Sequence, residues 1–390
     1  MSTTSPTSES PEVRSADTDT AAADGKTAAL FEPFRLNGVT LDNRVVYPPM
    51  TRQASPDGIP GPDVADYYAR RAANGVGLVI TEGTLIGHSS VSGPAGIPRF
   101  HGEQPLAGWA HVVDEVHRAG GRIVPQLWHP GIYRDTGYEP EPPARQVGPS
   151  GLDLHGEQVG EPATDTDITE AVEAHVRAAV DAQRLGFDGV ELHGAHGFLI
   201  DQFLWPATNR RTDGYGGGPA ARARFGAEVV AAVRQATGPH FPIIFRFSQW
   251  KVTDYTARVV ETPGELDRLL APLTEAGVDA YHVSTRRFWL PGFEGSDLSL
   301  AAWTKQLTGK PVIAVGSVGL ADSDFQEAFE GRATEAAGVT RVVEALDRGD
   351  FDLVAAGRVL LSDPEWAAKV RDNRTAELRP FDPESLKSLV

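Results

Sequence analysis

Eight short apolar runs, separated by longer stretches with helical spacing, constrain this fold more than any other feature of the chain. The runs are Arg44–Pro48, Gly77–Thr81, Arg122–Leu127, Gly189–Leu192, Ile243–Phe247, Ala280–Ser284, Val312–Val315 and Leu353–Ala356. Between them lie Pro105–Ala119, Ile168–Leu185, Pro219–Ala236 and Pro263–Ala276, several ending at a glycine able to take the left-handed cap conformation. Strand-then-helix units in repetition predict a parallel sheet, and eight of them close a (β/α)8 TIM barrel. In such a barrel the carboxyl ends of the strands form the reactive face, because the βα loops converge there.

A chain of 390 residues could hold two average domains, but it also accommodates one barrel with extensions. We expect a disordered tail over residues 1–28, a single barrel over 29–375 and a C-terminal tail over 376–390. The first of these is rich in Ser, Thr, Ala, Asp and Glu and carries no apolar run fit for a signal segment or a membrane span. The chain has no cysteine, which excludes disulfides, thiolate metal sites and thiol redox chemistry, and agrees with the reducing cytoplasm where the protein is expected. A net charge of −17 argues against nucleic acid and anionic membranes as partners. Two polar stretches exceed plain connections. Arg134–Asp167 carries five prolines (Pro140, Pro142, Pro143, Pro149 and Pro162) and suits a lid, a binding loop or disorder. Leu320–Arg341 reads as a surface ornament or an oligomer contact.

Most of the chemical information sits after the fourth run. His193 and His196 stand three residues apart, followed by Asp201, Asn209, Arg210, Arg211 and Asp213 before Tyr215-Gly216-Gly217. One histidine there would read as a satisfied core residue. Two at the end of a buried strand can converge on one carbonyl or phenolate oxygen and polarise it. A metal site is not expected, since His193-Gly194-Ala195-His196 lacks a carboxylate in zincin spacing. Arg246, in Phe245-Arg246-Phe247, needs a buried anionic partner: a bound group, or a barrel carboxylate in a structural ion pair.

The segment HGAHGFLIDQFLWPATNRRTDGYGG, His193 to Gly217, resembles the flavin-dependent ene-reductases of the Old Yellow Enzyme family. Further landmarks follow in that family's order: Pro49-Met50-Thr51-Arg52, Thr81-Glu82-Gly83-Thr84, Gln126-Leu127-Trp128, Arg246, Gly316-Ser317 and Gly357-Arg358. The resemblance spans about residues 30 to 375 and implies FMN as cofactor, NADPH or NADH as reductant and a small electron-poor alkene as substrate. It implies that Pro49, Met50 and Thr51 border the flavin, with the Thr51 hydroxyl near the C4 oxygen. Gln126 would bond the pyrimidine edge, Gly83 would offer its backbone, and Arg246 would supply the cation near N1. Gly316, Ser317, Gly357 and Arg358 follow the last two strands. A glycine there is by itself a turn, but paired with an arginine such turns make an FMN phosphate site. No GxGxxG opens a βαβ unit, so a separate dinucleotide domain is not expected.

His193 and His196 match the pair that holds the substrate carbonyl. Many family members place a tyrosine acid two residues after the second of these. Here Phe198 stands in that position and has no proton to give. Tyr133 is a substitute donor in the loop after Trp128. Trp128, Phe198, Phe288 and Trp289 could form an aromatic wall for a flat substrate. The departure at Phe198 leaves three reactions open: alkene reduction with a proton from elsewhere, desaturation, and redox-neutral isomerisation. A barrel lyase or isomerase acting on a phosphorylated substrate, and a non-catalytic flavin-storage protein, are the alternatives from other classes. The oligomeric state is open, a homodimer included.

Overall fold

The computed structural model describes residues 27–133, 145–321 and 330–390. The expected N-terminal tail lies outside these residues except for its last two, and the first third of the Pro-rich stretch (134–144) and part of Leu320–Arg341 lie outside them too. Each of the eight runs forms a strand: β3 (Val45–Tyr47), β4 (Leu78–Ile86), β6 (Ile123–Trp128), β7 (Val190–His196), β8 (Ile243–Lys251), β9 (Ala280–Ser284), β10 (Val312–Val315) and β11 (Leu353–Ala355). All neighbouring pairs are parallel, and β3 pairs with both β11 and β4, so the sheet closes into the expected barrel. A short outer strand, β5 (Arg99–Phe100), adds to the end of β4.

Between the strands lie α1 (Pro62–Ala73), α2 (Glu103–Arg118), α3 (Asp165–Arg184), α4 (Leu199–Leu204), α5 (Pro219–Thr237), α6 (Pro263–Ala276) and α7 (Leu300–Thr308). Their ends follow from local chemistry. Thr164 caps α3 in a reciprocal box with Asp167, and Arg145 grips the same carboxylate at 2.7 and 2.8 Å, tying the end of the Pro-rich stretch to the helix. Thr262 caps α6, which stops at Gly277 in the left-handed conformation.

Two apolar layers result from the period-two alternation of the strands. Val46, Leu78, Ile80, Val124, Ile244, Ala280, Ile313, Leu353 and Ala355 fill the lower barrel interior. Their alternates face the helices and join the main core. An antiparallel hairpin of β1 (Phe34–Leu36) and β2 (Val39–Leu41), not anticipated from sequence, packs Leu36 and Leu41 into the same inner cluster and stoppers the base. Two steps further along β6, β8 and β9 the inward positions change character, to Gln126, Arg246 and His282, with Glu191 and His193 on β7 among them. The barrel is thus apolar below and polar at its carboxyl end.

The segment expected as a C-terminal tail packs onto the barrel. Phe381 is fully buried and pairs with Thr334, and Arg52 donates to the carbonyls of Ser385, Leu386 and Ser388 at 2.8, 3.2 and 2.7 Å. Arg71, stacked 3.6 Å over the Tyr67 ring, holds the Val390 carbonyl at 2.6 Å. Among the described residues no helix is long and apolar enough to cross a membrane.

Candidate active site

Strand β7 carries both histidines to the carboxyl mouth, and their rings meet edge to face with centroids 5.2 Å apart. His196 has φ +67°, a left-handed conformation unfavourable for a residue with a side chain. The surrounding contacts over-determine it. Its N–H donates to the Ser248 hydroxyl at 3.0 Å, its carbonyl accepts from Val252 at 3.2 Å, and the next N–H, of Gly197, donates to Asp201 at 2.6 Å. The imidazole is held between the Ser284 hydroxyl, 2.8 Å from Nε2, and the Trp250 ring, 4.3 Å away centroid to centroid. Burial first, then the nearby Arg246, drives both histidines well below the usual imidazole range. Each is therefore neutral near pH 7, with one N–H to donate and one lone pair.

A buried polar chain runs across the barrel beside them. Gln126 donates from Nε2 to Glu191 at 2.8 Å, and the other Glu191 oxygen lies 2.6 Å from His282 Nδ1. Arg246 stands between His193 and His282 in register. Burial lowers its pKa, with the Glu191 charge opposing the shift, and its Nε has no hydrogen-bond partner among the described residues. The barrel carboxylate thus acts on Arg246 through its field, and the guanidinium keeps an N–H that no described protein group takes up. Above Gln126, a side chain at Gly83 would place its Cβ 3.2 Å from Gln126 Oε1 and 3.3 Å from Trp128 Cε3, so the surface there stays open only because glycine lacks one.

The two phosphate-type turns come together. Arg358 donates to the Ser317 hydroxyl at 3.0 Å, linking the ends of β10 and β11. Gly316 has φ +149° and a Cβ there would stand 2.7 Å from the Thr285 carbonyl, while a Cβ at Gly357 would meet Met50 Sδ at 3.3 Å. Pro49 and Met50 are half-buried on the loop after β3, and Thr51 is exposed beyond them. Glu82 anchors this loop by accepting from the N–H groups of Arg52 at 2.8 Å and Gln53 at 3.1 Å. Burial pushes the Glu82 carboxyl up to about 7. The orphaned Arg246 donor, the glycine cradles at Gly83, Gly316 and Gly357, and the joined Ser317–Arg358 pair fit a flavin mononucleotide.

Phe198 touches the rings of Trp128 at 4.9 Å, His193 at 4.9 Å and Tyr133 at 5.4 Å, so these four residues make one wall. Phe288 and Trp289 do not join it. Phe288 packs against Phe351, Trp289 lies under Arg341, and both line a separate cleft beside the helix Thr340–Asp347. The Phe288 N–H donates to the Gly316 carbonyl, which ties this turn to the end of β10. Trp250, Ser284, Glu191 and His282 went unrecognised in the sequence, and Glu82 was read only as part of a landmark. Only Glu191 and His282 carried a signal there, a charge and an imidazole inside strands otherwise apolar. Among the described residues no group of three or more His, Asp and Glu side chains is arranged to hold a metal ion.

Comparisons with known proteins bear on the family. Residues 29–377 match the model of the NADH:flavin oxidoreductase / NADH oxidase family. The chain is 35% identical over 367 residues to an NADH oxidase of Thermoanaerobacter brockii, covering 90% of this chain but only 52% of that protein. It is 33% identical to 12-oxophytodienoate reductase 7 of Oryza sativa subsp. japonica, covering 89% of each. A solved structure of morphinone reductase in complex with tetrahydroNAD is similar with a TM-score of 0.74 and 30% identity, over 92% of this chain and 93% of that one. With the barrel, the histidine pair and the flavin-type cradle in place, these matches show that the chain belongs to the NADH:flavin oxidoreductase / NADH oxidase family, the Old Yellow Enzyme family of FMN-dependent, nicotinamide-linked oxidoreductases.

Proposed function

We propose that this protein reduces the C=C bond of α,β-unsaturated carbonyl compounds at the expense of a reduced nicotinamide. The observation that carries the reading is the pair of neutral, edge-to-face imidazoles at the mouth of β7, with Arg246 beside them in register. Reduced FMN, when bound, supplies the hydride to the alkene. His193 and His196 hold the carbonyl oxygen with their N–H groups and stabilise the charge that grows on it. Trp128 and Phe198 confine a flat substrate and exclude water from it. The α-carbon takes its proton from the Tyr133 hydroxyl, since Phe198 has none and Tyr133 stands next to it.

NADH is the favoured reductant. One relative is named for NADH oxidation, and the morphinone reductase structure holds a tetrahydro form of NAD. Anaerobic titration of the purified flavoprotein with NADH and NADPH, followed by a cyclic enone with product analysis, tests the assignment. Enone-dependent reoxidation with saturated product is expected. Flavin reduction without any turnover of enones would sink it and leave a flavin-storage role. A second reading, desaturation or isomerisation, is favoured by Phe198 alone. It would show as double-bond migration or as reduction of the flavin by a saturated ketone.

A further inference from the structure

The inner wall of the barrel is apolar up to the layer of Val124, Ile244 and Ala280, and a leucine or valine would fit the layer above at lower cost. That layer instead holds a carboxylate and an imidazole with no exposed side-chain surface, Glu191 and His282, 2.6 Å apart. Burying such groups is unfavourable unless every partner is satisfied. Their partners define an order. A carboxylate only accepts, so Gln126, 2.8 Å from Glu191 Oε1, must present Nε2 to it, and His282 must present an Nδ1–H to Oε2. The amide of Gln126 is thereby locked, with Oε1 turned to the opening over Gly83, where a Cβ would lie 3.2 Å from it. An unlocked glutamine could equally offer N–H on that side.

We propose that Glu191, held in place by His282, is a positioning residue that fixes Gln126 as a hydrogen-bond acceptor, and not a donor, for the cofactor. The group recognised is the imide N3–H of the isoalloxazine pyrimidine ring, the one ring donor on that edge; this rests on the flavin assignment of the site above. Arg246, beside His282 in register, supplies the donors for the neighbouring ring oxygen, so the pair of side chains reads donor and acceptor in the right sequence.

The test uses the full chain, stripped of flavin and reloaded with 15N-labelled FMN. In the wild type we expect a slowly exchanging N3–H proton with its nitrogen resonance shifted downfield. Glu191→Gln, whose amide can accept as well as donate, frees Gln126 to rotate. The N3 signal should then move upfield and exchange faster, and the FMN dissociation constant should rise about five-fold, the worth of one neutral hydrogen bond. Should that variant fail to fold, Glu191→Met, which removes the acceptor altogether, reads the same loss, and His282→Asn, which keeps a donor for Glu191, should leave both signals near wild type. Wild-type N3 behaviour and affinity in Glu191→Gln and Glu191→Met would overturn the inference while leaving the flavin site standing. Failure of the wild type to bind FMN at all would overturn both.

Discussion

At Phe198 an apolar ring stands beside the histidine pair, and the Tyr133 ring lies 5.4 Å away. If Tyr133 is the donor, Tyr133→Phe should lower enone turnover about 10²–10⁴-fold, and adding Phe198→Tyr should recover much of it. Stopped-flow reoxidation with product analysis checks both, and an unchanged rate in Tyr133→Phe would assign the proton to water. Glu82 allows a prediction about pH. Its carboxyl is pushed from 4.5 to about 7 in the folded protein, so the folded state binds the proton more tightly than the unfolded chain does. Its contribution is full below about pH 4.5 and is lost as pH rises to about 7, in total about 3 kcal/mol. Urea denaturation at pH 5 and pH 7.5 should show that loss in the wild type and not in Glu82→Gln. At this scale the candidate site was legible where polar residues break or follow apolar runs, as at His193, His196 and Arg246, while Gln126 stood out only through the family resemblance. Trp250 was not, because its place against His196 depends on a strand extension that no local pattern announces.

Strand β7 and strand β8 both run past their apolar runs, to His196 and Lys251 instead of Leu192 and Phe247, and the register shifts between Gly194 and His196. Hydrophobic patterning ends where the inward positions turn polar, so it underestimates any strand whose last residues form a site. The overrun is stabilised by Lys251 and Asp201, an ion pair at 2.7 Å without exposed side-chain surface, in which Lys251 also donates to the carbonyls of Ser248 and Gln249. Through Asp201 the same pair holds the Gly197 N–H and so the turn after His196. Lys251→Met should cost about 3–5 kcal/mol, because it strands a buried carboxylate. Adding Asp201→Leu should return part of that stability but not the binding of phenols at the histidines. Chemical denaturation and phenol titration separate the two effects, and equal losses in both variants would rule out the clamp.

The whole barrel was legible because eight strand-and-helix units repeat one pattern, and a repeated pattern tolerates an error in any single unit. The hairpin of β1 and β2 was not, since three-residue strands carry too little periodicity to register. The C-terminal packing onto Arg52 and Arg71 was hidden for another reason: the arginines grip backbone carbonyls, which every sequence possesses. That hairpin has a kinetic consequence. With the sheet closed by hydrogen bonds and the base filled by Leu36 and Leu41, the polar end of the barrel is, among the described residues, reached from the carboxyl side. If the reduced nicotinamide and the enone of the proposed reaction both bind over this pair of imidazoles, they cannot pass one another there. Under the proposed reaction the oxidised nicotinamide would then have to depart before the second molecule enters, so double-reciprocal plots at several fixed reductant concentrations should be parallel, and excess of either reactant should inhibit by occupying the doorway out of turn.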